Sequence, residues 1–271
     1  MKKSGTLTRV ITGISLLALF VPSMLIGPIT RLCFFYVVIW LTAREMSDAL
    51  NCMGFVTSPW IARAFGLAMC VLFLLRDETA FYLSTAGIVI MLGLLAALFR
   101  KISMRDALGS CIICFYPTLF LLGYCYVSVQ RETLMWPVLL ITLFAAAGCD
   151  VFAYFCGRAF GRHKLCPSVS PHKTVEGAVS GTVLGTALGM AAWLILKDFA
   201  PIPWYVYLIT SFFCTIAGQF GDLCASVIKR QAGIKDFSDL LPGHGGFIDR
   251  IDSFCFAIPV AFFALSLFHA V

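Results

Sequence analysis

The stretch "SFFCTIAGQFGDLCASVIKRQ", Ser211 to Gln231, is an apolar run with one carboxylate inside it and two cations near its end. About 17–25 predominantly apolar residues suffice to cross roughly 30 Å of hydrocarbon as a helix, so this run is either a buried core helix or a membrane span. The rest of the chain decides between them. Of its 271 residues, 60% are hydrophobic and 13% charged. That leaves too few polar groups to cover a soluble globule, and lipid must supply much of the solvent. The expected fold is therefore all-α: a polytopic integral membrane protein of about nine transmembrane helices with two longer cytoplasmic loops. The spans are predicted near 10–27, 31–50, 60–75, 80–99, 107–129, 134–156, 177–196, 203–228 and 251–270. A single transmembrane domain over residues 1–271 accounts for the whole chain. The first run follows Lys2, Lys3 and Arg9, as a secretory signal would, but no small-x-small site follows near Gly27-Pro28, so it reads as a retained helix.

Cations set the orientation, because Lys and Arg favour the cytoplasmic side. With the N-terminus inside, all 20 of them fall on that side except Arg31, Arg76, Arg131 and Lys197, and the C-terminus lies outside. The net charge of +6 is then concentrated on one face, where it attracts anionic headgroups and nucleotides. The 12 cysteines lie mostly inside apolar runs, and Cys111 and Cys114 form a CxxC with no second pair to complete a zinc site. They read as small hydrophobes.

Both long polar loops, 157–176 and 229–250, are cytoplasmic in this topology. The first, with the glycine after it, reads "GRAFGRHKLCPSVSPHKTVEG", Gly157 to Gly177; glycine-rich turns with Lys and Arg can surround phosphate oxygens, although an inside-positive loop would also be basic. Gly177, Gly181, Gly185 and Gly189 then recur at steps of four and mark one helix face suited to close packing. Asp222 is costly inside an apolar helix unless paired, and Ser226, Lys229 and Arg230 share roughly its side of that helix. Asp150 repeats the pattern with Tyr154 and Arg158 at steps of four, and a structural salt bridge is the competing explanation for both carboxylates. Asp249 and Asp252 stand three apart at the start of the last span. With Asp222 they form a set of hard oxygen donors suited to Mg²⁺, which takes one or two carboxylates and completes its octahedron with water and phosphate. Gly243, Gly245 and Gly246 allow a sharp turn around His244, which could contact phosphate or shuttle a proton.

The segment "SVIKRQAGIKDFSDLLPGHGGFIDRID", Ser226 to Asp252, resembles the signature of the phosphatidate cytidylyltransferase family, also called CDP-diacylglycerol synthases. Ser226, Lys229-Arg230, Lys235-Asp236, Pro242-Gly243, His244-Gly245-Gly246, Asp249-Arg250 and Asp252 carry it. The similarity extends to Asp150, Tyr154, Gly157, the "SPHKTVEG" loop, "GQFGDL" around Asp222, and Arg9 with Thr12. One departure is His172, which stands where the family usually has a second lysine.

The resemblance implies transfer of a cytidylyl group from CTP to phosphatidate, giving CDP-diacylglycerol and pyrophosphate. In this reading Asp222, Asp249, Asp252 and Asp150 are the candidate Mg²⁺ ligands. Lys173, Ser226, Lys235, Gly245, Gly246 and Arg250 are candidate substrate contacts, and His244, Lys229 and Arg230 are candidate catalytic residues. The expected partners are CTP, phosphatidate and membrane lipid, with no nucleic acid and with room for a homodimer. The expected site is the cytoplasmic surface of a bacterial-type inner membrane. A CTP-dependent lipid kinase would use the same nucleotide but release CDP. An ion-coupled transporter would place Asp150 and Asp222 at the membrane midplane but would not need the dense glycine and charge pattern after Ser226.

Overall fold

The computed structural model describes residues 6–75 and 103–269. Its helices are α1 (Thr6–Ile26), α2 (Pro28–Cys52), α3 (Trp60–Leu74), α4 (Met104–Gln130), α5 (Glu132–Phe160), α6 (Val175–Leu196), α7 (Trp204–Gln231) and α8 (Ile248–His269). Among the described residues, six of these are long and apolar enough to cross a membrane: α1, α4, α5, α6, α7 and α8. The protein is thus a helical polytopic membrane protein. On α1, Leu17, Leu19 and Leu25 are at least 60% exposed, an apolar surface suited to lipid.

The second and third expected spans form helices but differ in character from the other six. α2 is long enough, yet Arg44, Glu45 and Asp48 fall in its second half. α3 has 15 residues, which rise only about 22 Å, short of the hydrocarbon thickness. The fourth expected span, 80–99, lies outside the described residues, as do Lys2, Lys3, Arg76, Arg100 and Lys101. The loop 157–176 corrects a purely helical picture. It contains an antiparallel two-stranded ribbon, β1 (Lys164–Cys166) and β2 (Ser170–Thr174), with Lys164 opposite Thr174 and Cys166 opposite Ser170.

The described residues form two compact units. One comprises residues up to Gln130 together with Ile228–Arg250; the other comprises Arg131–Val227 and the residues from Ile251 onward. In the first unit, a half-buried cation takes the place of water for backbone groups at two helix ends. Arg31 donates from Nε to Met24 O at 3.1 Å and from Nη1 to Ser128 O at 2.9 Å, serving carbonyls in the last turns of α1 and α4. Arg63 is 5% exposed and lies over the rings of Trp40 and Trp60, 3.7 and 4.9 Å from their centroids. These aromatic faces offset the cost of burying a guanidinium.

In the second unit the glycine stripe does what its spacing suggests. A Cβ on Gly177 would come 2.7 Å from Ala153 O, and one on Gly181 2.8 Å from Cys149 O. On Gly185 it would come 2.9 Å from Ala145 O. Only glycine lets α6 approach α5 at backbone contact. The same approach fixes the ribbon. Thr174, the last residue of β2, caps α6 by accepting from Gly177 N at 3.1 Å. In the first turn of α6, Glu176 Oε1 accepts from His163 N at 3.2 Å and lies 2.6 Å from His163 Nδ1, while Oε2 accepts from Arg162 N at 3.1 Å.

Candidate active site

The α5–α6 contact and the ribbon enclose a cavity of about 590 Å³ in the second unit. Asp150, Tyr154 and Arg158 line it from α5, Lys164 from β1, His172 and Lys173 from β2, and Gln219 and Asp222 from α7. Lys173 Nζ lies 2.5 Å from Asp222 Oδ2, with the two side chains 28% and 29% exposed. Ser226, one turn along α7, donates to Asp222 Oδ1 at 3.4 Å. Asp222 is thus paired, which explains how a carboxylate persists inside this helix.

Gln219 sets the other wall. Its Nε2 donates to Thr182 Oγ1 at 2.8 Å and to Ala178 O at 3.2 Å, and it also lies 3.2 Å from Cys149 Sγ. The amide therefore ties α7 to α6 beside the cavity. Asp150 Oδ2 accepts from Ser253 Oγ of α8 at 3.1 Å. Arg158 donates to the Tyr154 hydroxyl at 3.3 Å, a step of four along α5. Three fixed cations, Arg158, Lys164 and Lys173, face two carboxylates, Asp150 and Asp222, before His172 is counted. The arrangement favours a polyanion that arrives with a divalent cation.

The first unit organises the glycine-rich turn. Gly243 and Gly245 have φ of 80° and 82°, the left-handed region that glycine enters at least cost. Leu241 N donates to Gly245 O at 2.9 Å, and His244 N donates to Leu241 O at 2.8 Å. Asp249 anchors this turn from the first turn of α8. Its Oδ2 accepts from Phe237 N and Gly246 N, both at 2.9 Å, and its Oδ1 accepts from Lys229 Nζ at 2.6 Å. This ion pair is deeply buried, with the Lys229 and Asp249 side chains 12% and 3% exposed. From α1, Thr12 Oγ1 donates to Pro242 O at 3.3 Å.

The structure therefore gathers Asp150, His172, Lys173 and Asp222 around one cavity, with Ser226 behind Asp222, and separately gathers Lys229, Asp249 and Gly246. Asp252 is 8% exposed and accepts from Ser253 N at 2.7 Å. Lys235, Arg230 and Arg250 are exposed, and His244 has a buried Nδ1 that finds no hydrogen-bond partner among the described residues. Among the described residues no three His, Cys, Asp or Glu side chains form a metal-binding group. Asp222 and Asp150 in one cavity nevertheless fit a cation that takes only one or two carboxylates. At Asp249, a cation would have to displace the Lys229 ammonium.

Two anchoring residues did not stand out individually in the sequence. Glu176 resembles any acidic residue in a first helical turn, and Glu45 sits in an ordinary charged stretch of α2. Glu45 accepts from Ser238 Oγ at 2.6 Å, Phe247 N at 2.9 Å and Ile248 N at 2.8 Å.

A profile described as the cytidylyltransferase family matches residues 7–268. The phosphatidate cytidylyltransferase of Staphylococcus saprophyticus is 31% identical over 255 residues, which cover 93% of this chain and 96% of its own. That of Staphylococcus haemolyticus is 30% identical over 257 residues, with the same shares. The phosphatidate cytidylyltransferase of Bacillus subtilis is 41% identical over 119 residues, 44% of each chain.

Proposed function

Because the chain belongs to the cytidylyltransferase family, we propose that it transfers the cytidylyl group of CTP to phosphatidate, giving CDP-diacylglycerol and pyrophosphate. The observation that carries this reading is the Lys173–Asp222 pair in a cavity that also presents Arg158 and Lys164. A phosphate monoester is already ionised near neutral pH, so the reaction needs little base chemistry. Its obstacle is bringing two polyanions together, which cations and positioning overcome. The phosphatidate oxygen attacks the α-phosphorus of CTP directly, and pyrophosphate leaves in line. Lys173 exchanges Asp222 for a phosphate oxygen, while Arg158 and Lys164 hold the remaining triphosphate charge.

Asp222 and Asp150 would hold Mg²⁺, which supplies charge neutralisation at the phosphates. Lys229, fixed by Asp249, and the exposed Arg230, Lys235 and Arg250 serve the anionic substrates, and Asp252, Ser226, His244, Gly245 and Gly246 complete the assignment. The family match over residues 7–268 supports one catalytic domain over the whole chain. The cation distribution supports nine spans in a cytoplasmic membrane, with the N-terminus and the site facing the cytoplasm.

The test is incubation of purified protein with labelled CTP, phosphatidate and Mg²⁺. CDP-diacylglycerol with pyrophosphate is expected. CDP together with a phosphorylated alcohol would overturn the reading in favour of a kinase.

A further inference from the structure

Glu45 is an acidic residue on α2, 4% exposed, and among the described residues its three hydrogen bonds all go to the segment 238–248, about two hundred residues away in sequence. Phe247 N and Ile248 N lie at the N-terminus of α8, where amide groups lack intrahelical acceptors and the helix end is electropositive. Glu45 therefore caps α8 from α2. The fit is tight: a Cβ on Gly246 would lie 2.8 Å from both Glu45 Oε1 and Oε2. The glycine is needed here because a carboxylate occupies the space of a side chain.

A second carboxylate grips the same segment. Asp249 Oδ2 accepts from Phe237 N and Gly246 N, while Oδ1 holds Lys229 Nζ. Consecutive amides are thus divided between two acids, Gly246 N to Asp249 and Phe247 N and Ile248 N to Glu45. The position of Asp249, and through it of the Lys229 ammonium, depends on where Glu45 places the start of α8. We propose that Glu45 is a positioning residue for the Lys229–Asp249 pair, acting through the 237–248 turn without touching substrate. This rests on the reading of Lys229 as a contact for the anionic substrate.

The experiment compares the full-length protein with Glu45→Gln and Glu45→Asp. Gln keeps the length but presents an amide to the amides of Phe247 and Ile248; Asp keeps the charge but is one methylene short. Removing a group that orients a functional side chain typically costs about 10–100-fold. For Glu45→Gln we expect a fall of that size in kcat/KM with a raised KM for CTP, and partial recovery in Glu45→Asp. An inactive fraction lowers kcat without moving KM, so a fall in kcat alone, or a parental rate from folded Glu45→Gln, overturns the proposal. If Glu45→Gln does not fold, Ser238→Ala removes one of the three donors and should raise KM for CTP in the same direction by less; an unchanged KM overturns the proposal. Absence of CDP-lipid from the parent protein would defeat the functional reading instead. The tether is then decided by hydrogen exchange: faster exchange at Phe237 and Gly246 in Glu45→Gln supports it, and unchanged exchange overturns it.

Discussion

Two lysine–aspartate pairs of nearly equal length serve different physical roles. Lys173–Asp222 measures 2.5 Å with both side chains more than a quarter exposed, whereas Lys229–Asp249 measures 2.6 Å with side chains 12% and 3% exposed. Among the described residues, Asp222 has only a 3.4 Å contact from Ser226 besides its lysine, and it lines a cavity. Asp249 additionally accepts two backbone amides. Exposed pairs contribute about 0–1 kcal/mol and exchange partners readily. Removing one member of a buried pair strands a charge and costs about 3–5 kcal/mol. Surroundings, not distance, separate a pair that can open for substrate from one in which a buried aspartate holds its lysine in place.

The sharpest way to break this contrast is to neutralise each lysine and measure stability. Lys229→Met should lose about 3–5 kcal/mol, seen as a large drop in thermal midpoint in detergent, and Lys173→Met about 1 kcal/mol or less. Equal drops would erase the distinction. Activity should show the reverse emphasis on the cavity side. Asp222→Asn is expected to keep its midpoint while kcat falls by about 100- to 1,000-fold, the scale of losing one main electrostatic contribution to the transition state. CDP-lipid synthesis at the parental rate would remove Asp222 from the mechanism.

The legibility of these features in the sequence follows from how local their causes are. Asp222 stood out because a carboxylate in an apolar helix is expensive, and the glycine stripe because its period of four is that of a helix face. α2 was harder: hydrophobicity predicted a span over 31–50, and the tertiary partners of Arg44, Glu45 and Asp48 in its second half cannot be read from that local pattern. The β1–β2 ribbon had no pattern to read, since its strands have three and five residues with Lys, Pro and His and no sustained alternation. Glu45 was invisible for a different reason. Its partners Phe247 and Ile248 lie 202 and 203 positions away, and only tertiary packing reveals such a cap.

The glycine stripe allows a smaller test on the cavity side. A Cβ at Gly181 would stand 2.8 Å from a backbone carbonyl and 2.9 Å from Ala153 Cβ, neither of which can rotate away. Gly181→Val should therefore push α6 from α5 and cost about 1–3 kcal/mol. Because both helices line the cavity, activity should fall with stability. A variant with parental stability would show that the helices are not locked at this position.

The smallest expected effect concerns His172, exposed on β2 beside Lys173 and lining the cavity. A lysine here adds a fixed ammonium to the cavity wall beside Lys173. The new charge is solvent-exposed, so its attraction for a triphosphate is screened over about 10 Å at 0.1 M salt. His172→Lys should lower KM for CTP by about two- to fivefold at low ionic strength, equivalent to roughly 0.4–1 kcal/mol. The gain should shrink as salt rises, while the thermal midpoint stays at the parental value. A benefit that persists in high salt would mean that the lysine acts through a desolvated contact, and the cavity wall at β2 would then be more closed around the nucleotide than its exposure suggests.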